Sequence, residues 1–434
     1  MRILLINHRY FVASGAERYL FNVERILERA GHETAVFSIA YQQNRPSPWS
    51  SYFTSPIGDP DEVFFDQHRQ HPATYAKTMA RLFYSTEVER DLTRLTNAFK
   101  PDVAYLMLFL RKLSPSVITA LHKAGVPIVA RVSDYGFLCA EHHFLRQGRT
   151  CTKCLHGRLL PGVIHGCVHG SRLVSAMDAS ATWMHRRRGY FDMIDRFVTT
   201  NPFLTEMMIE GGFAPGRLAC IPTFADEAIF RTGMGNGRQH LLYAGRLDPS
   251  KGLETLIDAM AMLKSRIGSR LPPLRIVGSP QYDDYRISLQ RRAQKKGVSD
   301  RIHFDGPLPA DYIPQLLGDA AASIIPSLWF ENLPNSYLES ICAGVPVIAS
   351  NLGSLSSAIN HEKDGLLFKA GDPLSLARQI QRVLEDPALE QRLRLAGPAM
   401  ARRKYSASRH LELLTGLFDS LVAAKATTDH LSRG

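Results

Sequence analysis

The sequence predicts an α/β protein of two Rossmann-like domains, each an open parallel sheet covered by helices. Length is the first reason, since 434 residues are too many for one ordinary core. The second is a recurring unit of short aliphatic run, loop and helical stretch, clearest between residues 321 and 349. The third is a polar stretch at 226–239 with Gly233, Gly235 and Gly237, which reads as a linker. The expected division is a first domain at 1–225, a second at 240–405 and a terminal helical segment at 406–434.

Residues 2–7 are aliphatic apart from the two ends, as in a strand buried on both faces. A helix over 16–30, stopped at Gly31, and a strand over 32–40 follow. Four prolines between Pro46 and Pro60 predict an irregular stretch. Then come a helix at 85–99, a strand at 102–109, a helix at 114–124 with Pro115 in its first turn, and a strand at 127–132. Helix 171–192, strand 195–200, helix 201–211 and a short strand before Phe224 complete the first domain. The second alternates in the same way, with strands at 240–245, 274–278, 302–306, 321–325 and 345–349. Pro334 opens a helix that Gly344 ends.

The net charge of +11 favours anionic partners, yet no nucleic-acid module is visible. No apolar run reaches the ~18 residues of a spanning helix. The start, MRILLINHRY, reads as a strand rather than a signal peptide, so a cytoplasmic location is expected. Arg186, Arg187 and Arg188 stand beside Trp183, Tyr190 and Phe191 in the sequence. This reads either as a patch facing the inner membrane surface or as a solvated helix end. Cys220 and Cys342, in apolar contexts, are expected to be buried.

The chemistry concentrates at two places. Glu331 precedes the helix that starts at Pro334, and Glu339 lies on it with seven residues between. A loop carboxylate at a helix N-terminus, where backbone N–H groups favour an anion, suits a ligand carrying both phosphate and hydroxyls. Eighty residues earlier, Arg246 ends a strand and Lys251 opens a helix, a pair able to grip a diphosphate. Taken singly, these are also ordinary surface charges, for example a Lys251–Glu254 pair.

The string ENLPNSYLESICAGVPVIAS, from Glu331, resembles the signature of family 4 glycosyltransferases of the GT-B fold. LLYAGRLDPSKGLETLI, containing Arg246 and Lys251, is similar to that family's second signature. The resemblance spans most of the chain. It implies two domains facing a cleft, with the C-terminal helix crossing back onto the first. It also implies transfer of a sugar, with retention, from a UDP-, GDP- or ADP-sugar to an acceptor hydroxyl, in polysaccharide or glycolipid biosynthesis, without a catalytic metal. The acceptor would be a lipid-linked precursor or a glycan. Arg246 and Lys251 would hold the diphosphate, Glu331 the sugar hydroxyls and Glu339 the ribose, with the backbone of Asn332 and Leu333 lining the site. Gly15 and Ala16 would approach the diphosphate from the first domain. Gly245, Gly278 and Leu308 would border the nucleoside. Relatives carry His-Asp-Tyr at the end of the fourth strand, where this chain reads Ser133-Asp134-Tyr135. Asp134 is the acceptor-side candidate, and His142 and His143 are nearby. The rival readings are a phosphorylase-type or other GT-B enzyme with a different donor, a non-catalytic nucleotide-sugar binder, and an adaptor acting through its cysteine loop.

That loop, 139–170, holds Cys139, Cys151, Cys154 and Cys167. A Cys-x-x-Cys pair flanked on each side by a cysteine has the spacing of a structural four-thiolate zinc site. Reduced structural thiols or a redox pair are the alternatives. Two disulfides are disfavoured in a cytoplasmic chain.

Overall fold

The computed structural model describes residues 1–63, 71–225, 239–280, 283–309 and 312–431. Nearly all of the expected linker, 226–239, therefore lies outside the described residues. The first sheet contains β1 (Arg2–Ile6), β2 (Glu33–Phe37), β3 (Val103–Leu106) and β4 (Ile128–Arg131). A small hairpin, β5 (Leu145–Arg146) and β6 (Arg149–Thr150), separates these from β7 (Arg196–Thr199) and β8 (Leu218–Cys220). The order is β2-β1-β3-β4-β7-β8 and every pairing is parallel. The second sheet holds β9 (His240–Ala244), β10 (Leu274–Val277), β11 (Ile302–Gly306), β12 (Ala320–Ile325), β13 (Val347–Ser350) and β14 (Leu366–Phe368). It too is wholly parallel, in the order β11-β10-β9-β12-β13-β14.

Each sheet has one place where strand order reverses, between β1 and β3 in the first and between β9 and β12 in the second. Crevices at such places, beyond the carboxyl ends of the strands, are where open α/β sheets bind ligands. The two reversal points meet across the molecule. The helix Gly15–Arg29, which follows β1, is capped by Ser14 and reaches the helix Asn335–Cys342, which follows β12. A Cβ on Gly15 would come within 2.9 Å of Asn335 Nδ2. This close approach, rather than a tight turn, is what asks for glycine there.

The last helix, Ala407–Leu431, crosses back as expected. Leu414, Phe418 and Leu421 are buried against Ile3, Leu5 and Val23. His410 is hydrogen-bonded to Pro222 O at 2.7 Å and to the Tyr19 hydroxyl at 3.0 Å. Burial and the neighbouring Arg131 hold its imidazole down at about 3, so it stays neutral.

Some local expectations differ. The stretch read as irregular contains a helix, Pro72–Phe83. The helix begun at Arg172 ends at Arg187, because Gly189 takes φ +67° and turns the chain. Cys220 is exposed and Cys342 half-buried, so neither is the sealed core thiol expected. An apolar neighbourhood in sequence does not bury a residue at the end of the edge strand β8.

Candidate functional site

The loop from β12 to its helix brings Ser327, Trp329 and Glu331 together. Glu331 is buried, and its Oε1 accepts from Ser327 Oγ (2.5 Å), Lys251 Nζ (2.7 Å) and Trp329 Nε1 (2.9 Å). Three donors on one oxygen leave Oε2 without a partner among the described residues. Lys251 therefore pairs with Glu331 rather than with Glu254, and its ammonium also sits 4.8 Å from the Trp329 ring centroid. The loops after β9 and β12 are joined by the Leu328 N–H donating to Ser250 O at 2.7 Å. Gly252, at φ +71°, is required there, because a Cβ would fall 2.0 Å from Pro326 O.

Arg246 leaves the end of β9 exposed to solvent. Its backbone carbonyl accepts the Tyr243 hydroxyl at 2.7 Å, and that phenol is pushed up by burial, by Glu331 and by Asp248, with Arg246 opposing. Gly278 lies against Gly245: at φ +144°, a Cβ there would stand 1.9 Å from Gly245 O. Leu308 is half-buried beside Val277, at the same end of the sheet. The structure thus gathers Gly245, Arg246, Lys251, Gly278, Leu308 and Glu331 at the carboxyl edge of the second sheet.

The neighbouring residues make side-chain contacts that the sequence did not specify. Asn332 points its side chain into the first domain. Its Nδ2 donates to Val132 O (3.0 Å) and Ser133 O (2.8 Å), and its Oδ1 accepts from Thr200 Oγ1 and Asn201 Nδ2. Leu333 is buried with φ +59°, and its N–H donates to Ser354 Oγ at 3.2 Å. Tyr135 OH donates to Glu331 O at 3.3 Å. Glu339 receives Arg18 Nη1 at 3.2 Å; burial raises its carboxyl and Arg18 works against that. Ala16 lies in the first turn of the helix Gly15–Arg29, its N–H on Ser14 Oγ. Asn332, Arg18 and Tyr135 are the clamp between the domains. Their partners lie 131 to 321 residues away, so no local spacing announces them.

On the first domain Asp134 accepts His142 Nδ1 at 3.1 Å and the Gly136 N–H at 2.8 Å. Burial pushes this carboxyl up, but His142, Gly136 and Arg111 outweigh it and hold it at about 2. Asp134 thus engages Nδ1 of His142 and leaves Nε2 as the ring's other polar atom. That Nε2 is buried and has no hydrogen-bond partner among the described residues. His142 also adopts φ +66°, and Gly136 cannot carry a Cβ, which would lie 2.8 Å from His142 Nδ1. His143 stacks its ring 5.0 Å from that of Trp329, so this loop abuts the Glu331 loop.

Cys139, Cys151, Cys154 and Cys167 are free thiols, with no disulfide among them. They share one neighbourhood: Cys154 feels the charge of Cys167 and Cys151, and Cys139 that of Cys154. Burial pushes the Cys139 thiol up to about 12. Among the described residues, no three or more His, Cys, Asp or Glu side chains are grouped as a metal site.

These two domains, facing each other across their reversal points, define the GT-B architecture. Residues 225–400 match the family model described as glycosyl transferases group 1. The matched residues are those of the second domain. Among particular proteins, the chain is 31% identical over 248 residues to D-inositol 3-phosphate glycosyltransferase of Acidothermus cellulolyticus, covering 54% of this chain and 55% of that one. It therefore spans about half the length of that relative. Sucrose-phosphate synthase of Thermosynechococcus elongatus superposes with TM-score 0.70 at 19% identity, over 98% of this chain and 99% of that one. Anabaena Alr3699/HepE, solved in complex with UDP and glucose, superposes with TM-score 0.64 at 18% identity, over 97% and 100%. At such identities the two structures speak for the fold.

Proposed function

We propose that this chain transfers a glycosyl unit from a nucleoside-diphosphate sugar to an acceptor hydroxyl with retention of anomeric configuration. The observation that carries this reading is Glu331, whose Oε1 is saturated by three protein donors while Oε2 is left for a ligand. A buried carboxylate of that kind accepts from sugar hydroxyls. Beside it, Lys251 and the exposed Arg246 offer positive charge to a diphosphate. As the bond from C1 to the phosphate oxygen breaks, its electron pair stays on the diphosphate. Two fixed cations stabilise that growing charge more than they stabilise the bound donor. Gly15 and Ala16, at the start of the helix that meets Asn335, would approach the diphosphate from the first domain. Gly245, Gly278 and Leu308 would border the nucleoside, and Glu339 would exchange Arg18 for the ribose. The UDP held by the Anabaena protein supports a nucleotide donor here. Asp134 and His142 stand on the acceptor side. A structural zinc in the loop beside the cleft rests on the spacing of the four cysteines alone, because they are not grouped as a metal site among the described residues; elemental analysis finding no zinc in the purified chain would remove that part.

A thermal-shift screen with UDP, GDP, ADP and their sugars, on wild type and Glu331→Ala, tests the donor. A ligand at about a hundred times its Kd adds ~2.7 kcal/mol of stability. One nucleotide should stabilise both proteins, with the sugar-dependent increment lost in the variant. No shift with any of them overturns the reading. Binding with neither transfer nor slow hydrolysis would leave only a nucleotide-sugar binder.

A further inference from the structure

We infer that the surface formed by the helices Leu160–Ile164 and Arg172–Arg187 docks on an anionic lipid bilayer. Nine large hydrophobic side chains are markedly exposed among the described residues, and four of them lie on this packed helix pair. They are Leu160 (66%), Ile164 (53%), Leu173 (72%) and Trp183 (62%). Leu173, Ser180, Trp183 and Arg187 follow one face of the longer helix. No part of either core needs these side chains outside.

The charge around them is one-sided. Residues 139–190 contain eight Lys and Arg against two acids, Glu141 and Asp178, which is +6 of the chain's +11. Asp178 is already neutralised by Arg111 at 2.5 Å. Arg146 lies 3.5 Å from His165, directly after Ile164, so positive charge borders the apolar side chains. Apolar and indole groups ringed by guanidinium groups match the acyl boundary and phosphate layer of a bilayer, where each Lys or Arg adds ~1 kcal/mol of attraction.

The surface is not the one the sequence pointed to. Tyr190 and Phe191 are buried, with Tyr190 stacked on Tyr84, and Arg186 turns inward to donate to Phe137 O at 3.0 Å. The same loop leads inward to Asp134, His142 and His143, beside Trp329 of the second domain. If the transferase reading holds, a bilayer-bound acceptor would be met by this side of the cleft. The docking surface itself does not depend on that reading.

The test is co-sedimentation of the full chain with vesicles of phosphatidylcholine alone, or of equal parts phosphatidylcholine and phosphatidylglycerol. We expect binding to the anionic vesicles only, reversed by high salt. Leu173→Gln with Trp183→Gln, and separately Arg187→Glu with Arg188→Glu, should each weaken it about tenfold or more at unchanged Tm. Failure of wild type to sediment, or variants that sediment like wild type, overturns the proposal. So does a concentration-dependent dimer, seen by sedimentation velocity, that the Leu173/Trp183 variant abolishes while vesicle binding is absent. Vesicle binding needs neither donor nor turnover. A chain that binds vesicles but no nucleotide would keep this surface and lose the transferase reading.

Discussion

Asp134 shows how one residue's surroundings set its chemistry. Its carboxyl ordinarily titrates at 3.8, and here it is held at about 2. The folded chain thus binds fewer protons than the unfolded chain between those values. The stabilisation is fully present above about pH 4 and is lost as pH falls towards 2. Two pKa units would be worth ~2.7 kcal/mol, but a third of the side chain is exposed, so solvent screening leaves ~1–2 kcal/mol. Urea unfolding at pH 5 and at pH 2.5 should show this increment in wild type. Asp134→Asn should lose it and flatten that part of the profile. Glu331, Lys251 and Asp134 could be picked out in the sequence because their neighbours along the chain form recognisable strings. The Trp329 and Ser327 bonds to Glu331 are as local, and attention to donors within four residues of the acid would have found them. His142 was visible only as a polar loop histidine, since its hydrogen bond to Asp134 depends on a left-handed backbone at position 142.

At the level of elements, the donor-side edge of the second sheet depends on backbone packed against backbone. Gly278 touches Gly245 so closely that a methyl group has nowhere to go, since its neighbour is a carbonyl rather than a movable side chain. Gly297 has a comparable need for positive φ, at +67°, but nothing lies within 4 Å of its Cβ position. Gly297→Ala should therefore cost ~1 kcal/mol, the strain alone, while Gly278→Ala should cost more than ~2 kcal/mol. Chemical denaturation of both variants checks the order; equal losses would mean that the close contact carries no weight. Strand and helix identities were readable because buried parallel strands are short aliphatic runs and their helices begin and end on Pro and Gly. The helix Pro72–Phe83 escaped because the prolines upstream of it pointed to a loop, and its one buried residue, Arg81, is held by Thr54, Ser55 and Glu87.

Across the whole molecule, the two domains are held by a few polar contacts beside the site. Asn332 makes four of them, and Arg18–Glu339 and Tyr135–Glu331 add two more. Asn332→Ala should loosen this clamp without harming either core. We expect a larger radius of gyration by small-angle X-ray scattering in the unliganded state, and donor affinity weakened several-fold. An unchanged radius would show that the terminal helix and the aromatic contacts of Trp329 and Phe330 set the arrangement. That helix brings Leu414, Phe418 and Leu421 to a core whose other buried members run from Ile3 to Phe224.

The sequence by itself determined two parallel-sheet domains, the place of Glu331 in a loop between a strand and a helix, and the positions of Arg246 after a strand and Lys251 before a helix. All of these rest on periodicity and short spacing. The tertiary structure alone decided which oxygen of Glu331 is free, that Asn332 serves the clamp, and that Tyr190 and Phe191 are inside while Leu160, Ile164, Leu173 and Trp183 are outside. Those outcomes depend on which distant residues occupy the space around each side chain. A chain pattern with a period of two or of 3.6 residues carries no record of that.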